Sequence, residues 1–458
     1  MAAQAKRDTD MTSGSIVKHL LMFALPLLVG NVFQQMYNTV DSIVVGKFVG
    51  KEALAAVGSV GPIINTLIGI FGGFAVGAGV LISQYYGAHD EQSVHDCVQT
   101  AILLTLVLSV VLTAVGVFCT PLFVKMMQTP DDVIPDASEY LRIYFSGLAG
   151  LLIYNIGSGI LRAVGDSRRP LYFLIVSAVT NTVLDIVFVA VFRMGIAGVA
   201  IATILAQFIS AILVLIVLTR TDGSYRVCWT KLRFHPVMLR RILLIGTPTA
   251  IQSGVTSFSN VFVQSYINRF GSACMAGWTA YSKIDAFAML PITSIAMSAT
   301  TFVGQNIGAC DRVRAKQGTS CAIRLSLIIT ALILIPLMVF AEQLVGLFNT
   351  EPDVLSFGIR FIRQISPFYL LCVFNQVYGG ALRGAGDTKA PMFIMLLSFV
   401  AFRQVYLFTV YSLTHSITWV AMGYPAGWIL CSVILFLYYR SGRWQKYSEH
   451  IVARRKPE

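Results

Sequence analysis

The stretch Gly159-Ile-Leu-Arg-Ala-Val-Gly-Asp-Ser-Arg-Arg-Pro170 recurs 221 residues later as Gly380-Ala-Leu-Arg-Gly-Ala-Gly-Asp-Thr-Lys-Ala-Pro391. Two further motifs follow the same offset, namely Gln84 and Asp90 with Gln305 and Asp311, and Thr129 and Asp132 with Thr350 and Asp353. Three motifs in one register indicate that the chain consists of two related halves. Repeats inside an apolar chain are typical of alternating-access transporters, whose substrate site lies between the halves.

The composition predicts a membrane protein. Hydrophobic residues make up 56% of the chain and charged residues 12%, whereas soluble domains carry about 25% charged residues. Apolar stretches long enough to cross a bilayer, about 20 residues each, recur along the whole length. The first of them, from Ile16 to about Val45, is too long for a cleaved signal peptide. Eight cysteines without Cys-x-x-Cys spacing are interpreted as buried free thiols.

The apolar segments predict an all-α polytopic protein of about twelve transmembrane helices. We expect them at about 16–43, 53–83, 92–118, 134–160, 169–191, 196–219, 238–267, 275–305, 313–340, 355–381, 390–411 and 419–440.

Lys and Arg concentrate in the tails and in every second loop, and the opposite loops hold only Lys47, Lys51, Lys125, Arg193 and Arg269. The positive-inside rule then predicts a multi-pass protein of the cytoplasmic membrane with both termini in the cytoplasm. The net charge of +12 is interpreted as this topology signal and as a contact with anionic lipids, not as a nucleic-acid site.

Each half holds six predicted helices, an even number, so both halves begin on the same side of the membrane. We therefore expect two six-helix lobes related by a pseudo-two-fold axis along the membrane normal. The predicted limits are 1–219 for the N-terminal lobe, 220–240 for a cytoplasmic linker, and 241–458 for the C-terminal lobe and its basic tail.

The repeated motif has a structural interpretation. Gly165 and Gly386 can end a helix in the left-handed region, and Asp166 and Asp387 can cap the next helix. Arg162 and Arg383 would lie at the cytoplasmic surface, where a role in gating is the alternative. Both lobes keep the motif, which favours the structural role.

Polar residues inside the predicted spans of the N-terminal lobe are candidates for function. Gln34, Asn38 and Asp41 share one face of helix 1, Asn181 and Asp185 share one face of helix 5, and Thr203 lies on helix 6. An ionised Asp near the bilayer centre costs about 2.5–3.5 kcal/mol, so it normally faces a cavity or a partner. The pattern predicts a cation or proton site, and the alternative is that each carboxylate only caps a helix near the interface.

The C-terminal lobe lacks these acids, because the offset places Phe402 and Tyr406 where Asn181 and Asp185 stand. A function performed by one lobe alone is therefore indicated. The C-terminal lobe instead offers Asn260, Gln264, Lys283, Asp285 and Arg403. These residues either line a substrate cleft or neutralise one another within the lobe.

We find no motif of an ATP-driven pump or a hydrolase, and the six histidines show no ligand cluster. The sequence thus predicts a protein that is not an enzyme and needs no cofactor. No metal site is expected beyond Na⁺ at the predicted cation site.

The chain resembles the prokaryotic multidrug and toxic compound extrusion (MATE) transporters. The resemblance rests on Pro26 with Asp41, Gln84-Tyr-Tyr-Gly-Ala88, Leu161-Arg-Ala-Val-Gly-Asp166 and Asn181-Thr-Val-Leu-Asp185, and extends from about residue 13 to 440. It implies twelve helices in two lobes and the export of organic, cationic and amphipathic compounds in exchange for H⁺ or Na⁺.

The resemblance also implies roles for single residues. The acids of helices 1 and 5, with an Asn one turn before the second acid and a Thr in helix 6, couple transport to the ion in one branch, and these roles fall on Asp41, Asp185, Asn181 and Thr203. The acids that another branch carries in helices 7 and 10 are absent here. The expected partners are small organic substrates and membrane lipids, and the expected state is a monomer. The alternative is a flippase for lipid-linked saccharides, which shares the overall fold.

Overall fold

A computed structural model describes residues 10–126 and 133–448, without the side chains of 42, 51, 52, 54, 55, 59, 62, 126, 447 and 448. The motif at Thr129 and Asp132 and the end of the predicted basic tail lie outside the described residues. Throughout the described ranges the regular structure is helical, with no strand.

The first half of the chain forms seven helices. They are α1 Ile16–Val44, α2 Lys51–Gly87, α3 Glu91–Met126, α4 Ile134–Ser146, α5 Leu148–Ala163, α6 Arg168–Asp185 and α7 Gly195–Arg220.

The second half repeats this order with more interruptions. Its helices are α8 Pro236–Asn268, α9 Ser272–Gly308, α10 Arg312–Val339, α11 Ala341–Gly346, α12 Pro352–Ile365, α13 Tyr369–Gly384, α14 Lys389–Leu396, α15 Arg403–Thr414, α16 Ile417–Ala421 and α17 Gly423–Arg440.

Each of the twelve predicted segments is helical, but several are broken. The fourth bends by 48° between α4 and α5, at Gly147, where a Cβ would meet the side chain of Ile204 at 2.3 Å. Among the described residues, ten helices are long and apolar enough to cross a membrane, and the bent pair makes eleven. The remaining segment, α8, is long enough, but polar residues such as Gln252, Asn260 and Gln264 lower its mean hydropathy.

The repeated motif ends one helix and starts the next. Gly165 and Gly386 both have a φ of 91°, the left-handed conformation that glycine adopts without strain. The backbone NH of Asp166 then donates to Leu161 O, and that of Asp387 donates to Leu382 O, each at 2.9 Å.

The two caps differ in their side-chain partners. The Asp166 carboxylate accepts from the NH groups of Arg168 and Arg169 at 3.1 Å, whereas Asp387 accepts from Ala390 N and the Tyr438 hydroxyl. Burial raises the pKa of the Asp166 carboxyl, although these NH groups and the charge of Arg169 act to lower it. The gating role of Arg162 and Arg383 stays a prediction.

The described part of the chain divides into two compact units, one of residues 10 and 29–247 and the other of 11–28 and 248–448. The divisions therefore fall inside α1 and α8, near Pro26 and Pro248. The predicted lobe limits at 219 and 241 stay a prediction.

Residues 11–15, just before α1, belong to the second unit and are fixed there by hydrogen bonds. Met11 is fully buried, and its NH donates to Gln305 Oε1 at 3.0 Å. Its carbonyl accepts from Asn306 Nδ2 and from Arg314, each at 3.2 Å. The repeated Gln305 thus anchors the start of the chain.

Within the first unit, α2 meets the start of α8 at two glycines. A Cβ on Gly77 would lie 2.7 Å from Gly246 N and 2.8 Å from Ile242 O. Small residues permit such close backbone approach in membranes.

Gly77→Ala is therefore expected to destabilise the protein by about 1–3 kcal/mol, because the backbone atoms opposite cannot yield as a side chain can. The thermal unfolding midpoint of the purified protein measures this loss. Gly72→Ala is the matched control, since a Cβ on Gly72 has nothing within 4 Å. Equal midpoints for the two variants would contradict the packing.

Candidate functional site

Two aspartates on different helices come together in the first unit. Asp41 lies in the last turn of α1, and Asp185 is the final residue of α6. Their carboxyls are close enough to interact directly. Each helix continues in a π-helical turn, Val45–Val49 after α1 and Ile186–Val191 after α6, and the two turns contact each other. Such turns are frequent at functional sites.

The pair lacks hydrogen-bond donors. Asp185 is 0% exposed and Asn181 2% exposed. Neither oxygen of Asp185, neither polar atom of the Asn181 side chain, nor Asp41 Oδ1 has a hydrogen-bond partner among the described residues. Buried polar groups are nearly always paired, so this cluster stands apart from ordinary packing.

Asn181 and Thr203 line a small cavity together with Tyr37, Ser177 and Gln207. Its volume is about 10 Å³, which is room for about one water-sized particle. The Thr203 hydroxyl donates its hydrogen to Val199 O at 3.0 Å, so its oxygen can still accept. The polar groups of α6 and α7 therefore converge on a space the size of about one water molecule.

Two tyrosines lie near enough to the carboxyls to interact with their charge, and the sequence interpretation missed them. Tyr37 and Tyr140 both interact electrostatically with Asp41 and Asp185, and Tyr144 stacks beside Tyr140 with 6.1 Å between ring centroids. Tyr37 is one turn before Asp41 on α1, and Tyr140 and Tyr144 are one turn apart on α4. This spacing is visible in the sequence and could have identified them.

The arrangement is rich in acceptors and poor in cations. Two carboxyls interact, the Asn181 amide is one turn from Asp185, and the Thr203 hydroxyl lines the same small cavity as Asn181. The described chain brings no group of three His, Cys, Asp or Glu together as metal ligands. Two facing carboxylates repel each other when both are ionised. A proton or a hard cation bound between them relieves this repulsion.

The buried acid of the second unit has a different environment. Asp285 on α9 accepts hydrogen bonds at Oδ1 from Tyr369 at 2.5 Å and from Tyr281 at 3.2 Å. Phenol donors stabilise an ionised carboxylate. Asp285 is therefore satisfied by its own unit, unlike Asp185.

Arg403 at the start of α15 is a buried cation, 3% exposed. Its NH2 group donates to Ser259 Oγ and Asn260 Oδ1, both at 2.9 Å, and its guanidinium lies 4.9 Å from the centre of the Tyr424 ring. The structure describes no ion pair between Arg403 and Asp285. Arg403 and Asn260 thus form one polar cluster, and Asp285 with its tyrosines forms another.

The other cleft candidates lie on α1, α8 and α9, mostly at exposed positions. Lys283 is exposed, and Gln264 donates to Asn268 Oδ1 at 2.8 Å on the same helix. In the first unit, Gln34 and Asn38 are exposed on α1. Whether these four side chains line a substrate cleft stays a prediction.

Comparison with known proteins identifies the fold and the family of this arrangement. A model of the family MatE matches the chain twice, over residues 26–187 and 248–408. The chain is 31% identical over 446 residues to probable multidrug resistance protein YpnP of Bacillus subtilis, which covers 95% of this chain and 97% of that protein. It is 27% identical over 449 residues to probable multidrug resistance protein NorM of Thermotoga maritima, covering 94% of each.

The fold is also that of a solved structure. A crystal structure of MATE in complex with MaL6 superimposes with a TM-score of 0.90, covers 97% of this chain and 99% of its own, and is 23% identical. At that identity the likeness concerns the fold alone. The two MatE matches coincide with the two halves deduced from the internal repeat.

Proposed function

Because the chain belongs to the MatE family of multidrug and toxic compound extrusion transporters, we propose that it is a proton-coupled antiporter. It exports organic, cationic and amphipathic compounds across the cytoplasmic membrane by alternating access of its two lobes. The names of its relatives support multidrug efflux over the export of lipid-linked saccharides.

One observation carries the coupling assignment, namely that the carboxyls of Asp41 and Asp185 interact while both oxygens of Asp185 and Oδ1 of Asp41 are buried without a partner among the described residues. Asn181, one turn before Asp185, supplies a further acceptor oxygen, and Thr203 lines the small cavity beside Asn181. A proton bound at the pair removes the repulsion between two buried charges, so the lobe has different stable arrangements with and without it. Coupling then follows if the protonated arrangement binds substrate more weakly.

The driving force is adequate for export. Exchange of one proton for one monovalent cation moves no net charge, so the pH gradient drives it. Each additional proton per cation adds about 2.3 kcal/mol per 100 mV of membrane potential. The basic residues predict both termini and the linker in the cytoplasm. The substrate is therefore taken up on the side that carries the linker and released on the opposite side.

The test is active export by the purified chain in liposomes. We expect a fluorescent organic cation to accumulate against its own gradient when a pH gradient is imposed, and accumulation to stop when a protonophore collapses that gradient. Protein-free liposomes give the leak rate. Equilibration without accumulation would indicate a passive pathway, and movement of a lipid-linked sugar but not of cations would indicate a flippase.

A further inference from the structure

A polar pocket in the first unit has no part in the coupling site. Its volume is about 680 Å³, within the range of small-ligand sites. One wall is a single face of α3, formed by Gln92, His95, Asp96 and Gln99. The other wall is the segment 230–235 that follows α7. We call this cavity the linker pocket.

The two walls are fastened together. The NH of His235 donates to Thr100 Oγ1 at 3.2 Å, and Gln99 Nε2 donates to Arg226 O at 3.0 Å. The His235 ring also lies 3.4 Å from the Asp96 carboxylate. The pocket is thus a built feature and not the space beneath a loose loop.

The available charge in the linker pocket is positive. Asp96 accepts from Gln92 Nε2 at 2.8 Å. It is one acid against the two cations Lys231 and Arg233, so the formal charge of the lining is +1 with neutral histidines. Lys231 and Arg233 are exposed, and the described chain offers neither of them a carboxylate partner. Arg233 uses only Nε, which donates to His235 Nε2 at 3.1 Å, so its two terminal nitrogens can bind an anion.

The deepest wall residue accepts hydrogen bonds. Gln99 is 1% exposed, and its Oε1 has no partner in the described ranges. A ligand that combines an anionic group with hydroxyl or amine donors matches both walls, because the anion meets Lys231 and Arg233 and the donors meet the amide oxygens.

Aromatic side chains beside the pocket indicate where this ligand comes from. Trp229 is 46% exposed and Phe234 39% exposed, and both alternate with the basic residues of the linker. Exposed aromatic and basic residues together at the end of membrane-spanning helices are typical of the lipid–water interface. Exposed aromatic side chains of this kind favour contact with a lipid over contact with a ligand dissolved in water.

The internal repeat lacks this wall. The offset of 221 residues places Val313, Lys316, Gln317 and Ser320 at the start of α10 where α3 has Gln92, His95, Asp96 and Gln99. The polar face of α3 is therefore not a requirement of the shared six-helix packing.

We propose that the linker pocket binds the phosphate headgroup of an anionic phospholipid. Lys231 and Arg233 hold the phosphate, the Gln92 oxygen accepts from a headgroup hydroxyl, and Trp229 and Phe234 contact the glycerol and upper acyl region. This proposal requires only that the chain spans a membrane, and it is independent of the coupling ion.

The experiment compares lipid binding to two double variants of the full chain. Native mass spectrometry of the purified protein is performed with short-chain phosphatidylglycerol or phosphatidylcholine. We expect phosphatidylglycerol to bind the parent about tenfold more tightly than it binds K231Q/R233Q, with a difference that shrinks at high salt. R312Q/K316Q is the matched control, because it removes the same charge from the equivalent helix start and should bind as the parent does.

Three results would overturn the proposal. Equal phosphatidylglycerol binding by the parent and K231Q/R233Q would exclude the linker pocket as the binding site. Equally weak binding by both double variants would show that only the net charge of the protein matters. Tight binding of glycerol 3-phosphate or inorganic phosphate without selective lipid binding identifies a soluble ligand instead. Export in liposomes, measured in parallel, shows that each variant is folded and separates failure of this proposal from failure of the proposed function.

Discussion

Replacing Asp185 by asparagine is expected to abolish gradient-driven export, reducing it to the leak rate of protein-free liposomes. The asparagine amide has the size of the carboxyl and can donate to Asp41, so it imitates a permanently protonated pair. The lobe then cannot alternate between its loaded and empty arrangements. Asp41→Asn should act in the same way, and the double variant should be no worse than either single variant, because the two carboxyls act as a unit.

Smaller losses are expected beside the pair. Asn181→Ala and Thr203→Ala each remove one hydrogen-bonding group and no charge, so about a fivefold loss of export is expected for each. The control is Asp353→Asn, an exposed acid in the first turn of α12, which should export normally. Full export by both Asp41→Asn and Asp185→Asn, with loss in Asp285→Asn, would move the coupling site to the second unit.

Much of the fold follows from the sequence because hydrophobic length and an internal repeat are local and countable. All twelve predicted segments are helical, and the repeated glycines have the left-handed backbone their position suggests. The π-helical turns after Asp41 and Asp185 could not be predicted, since a slip in the hydrogen-bond register leaves no mark in the pattern of apolar residues. The division of the chain inside α1 and α8 is likewise a property of packing and not of composition.

The candidate site, like the fold, could be predicted only in part from the sequence. Spacing alone grouped Asn181 with Asp185, and their absence from the second half indicated a function of one lobe. Whether each carboxyl has a hydrogen-bond donor depends on residues that can be far away in the sequence. Tyr281 is one turn before Asp285 and could be anticipated, but Tyr369 lies 84 residues away. The contrast between a satisfied Asp285 and a donor-free Asp185 therefore appears only when the helices are assembled.

Export should persist in medium free of Na⁺ and should follow the pH gradient. A Na⁺ site needs several oxygens converging at coordination distance, whereas a proton needs only one desolvated carboxyl. Here Asp185 is fully buried, its neighbour Asn181 is unpaired within the described chain, and the adjoining cavity holds about one water-sized particle. These features favour a site that takes up a bare proton over one that encloses a cation.

The measurement is uptake of a fluorescent organic cation into inverted vesicles, with a pH gradient or a Na⁺ gradient imposed separately. Uptake under the pH gradient alone, lost in Asp185→Asn vesicles, supports proton coupling at the pair. Uptake driven by Na⁺ alone and insensitive to pH would overturn the choice of ion. It would leave the site in place, however, provided that Asp41→Asn and Asp185→Asn still abolish transport, because carboxylate, amide and hydroxyl oxygens are also the ligands that Na⁺ requires. The ion and the residues are thus tested independently, the first by the gradient and the second by the variants.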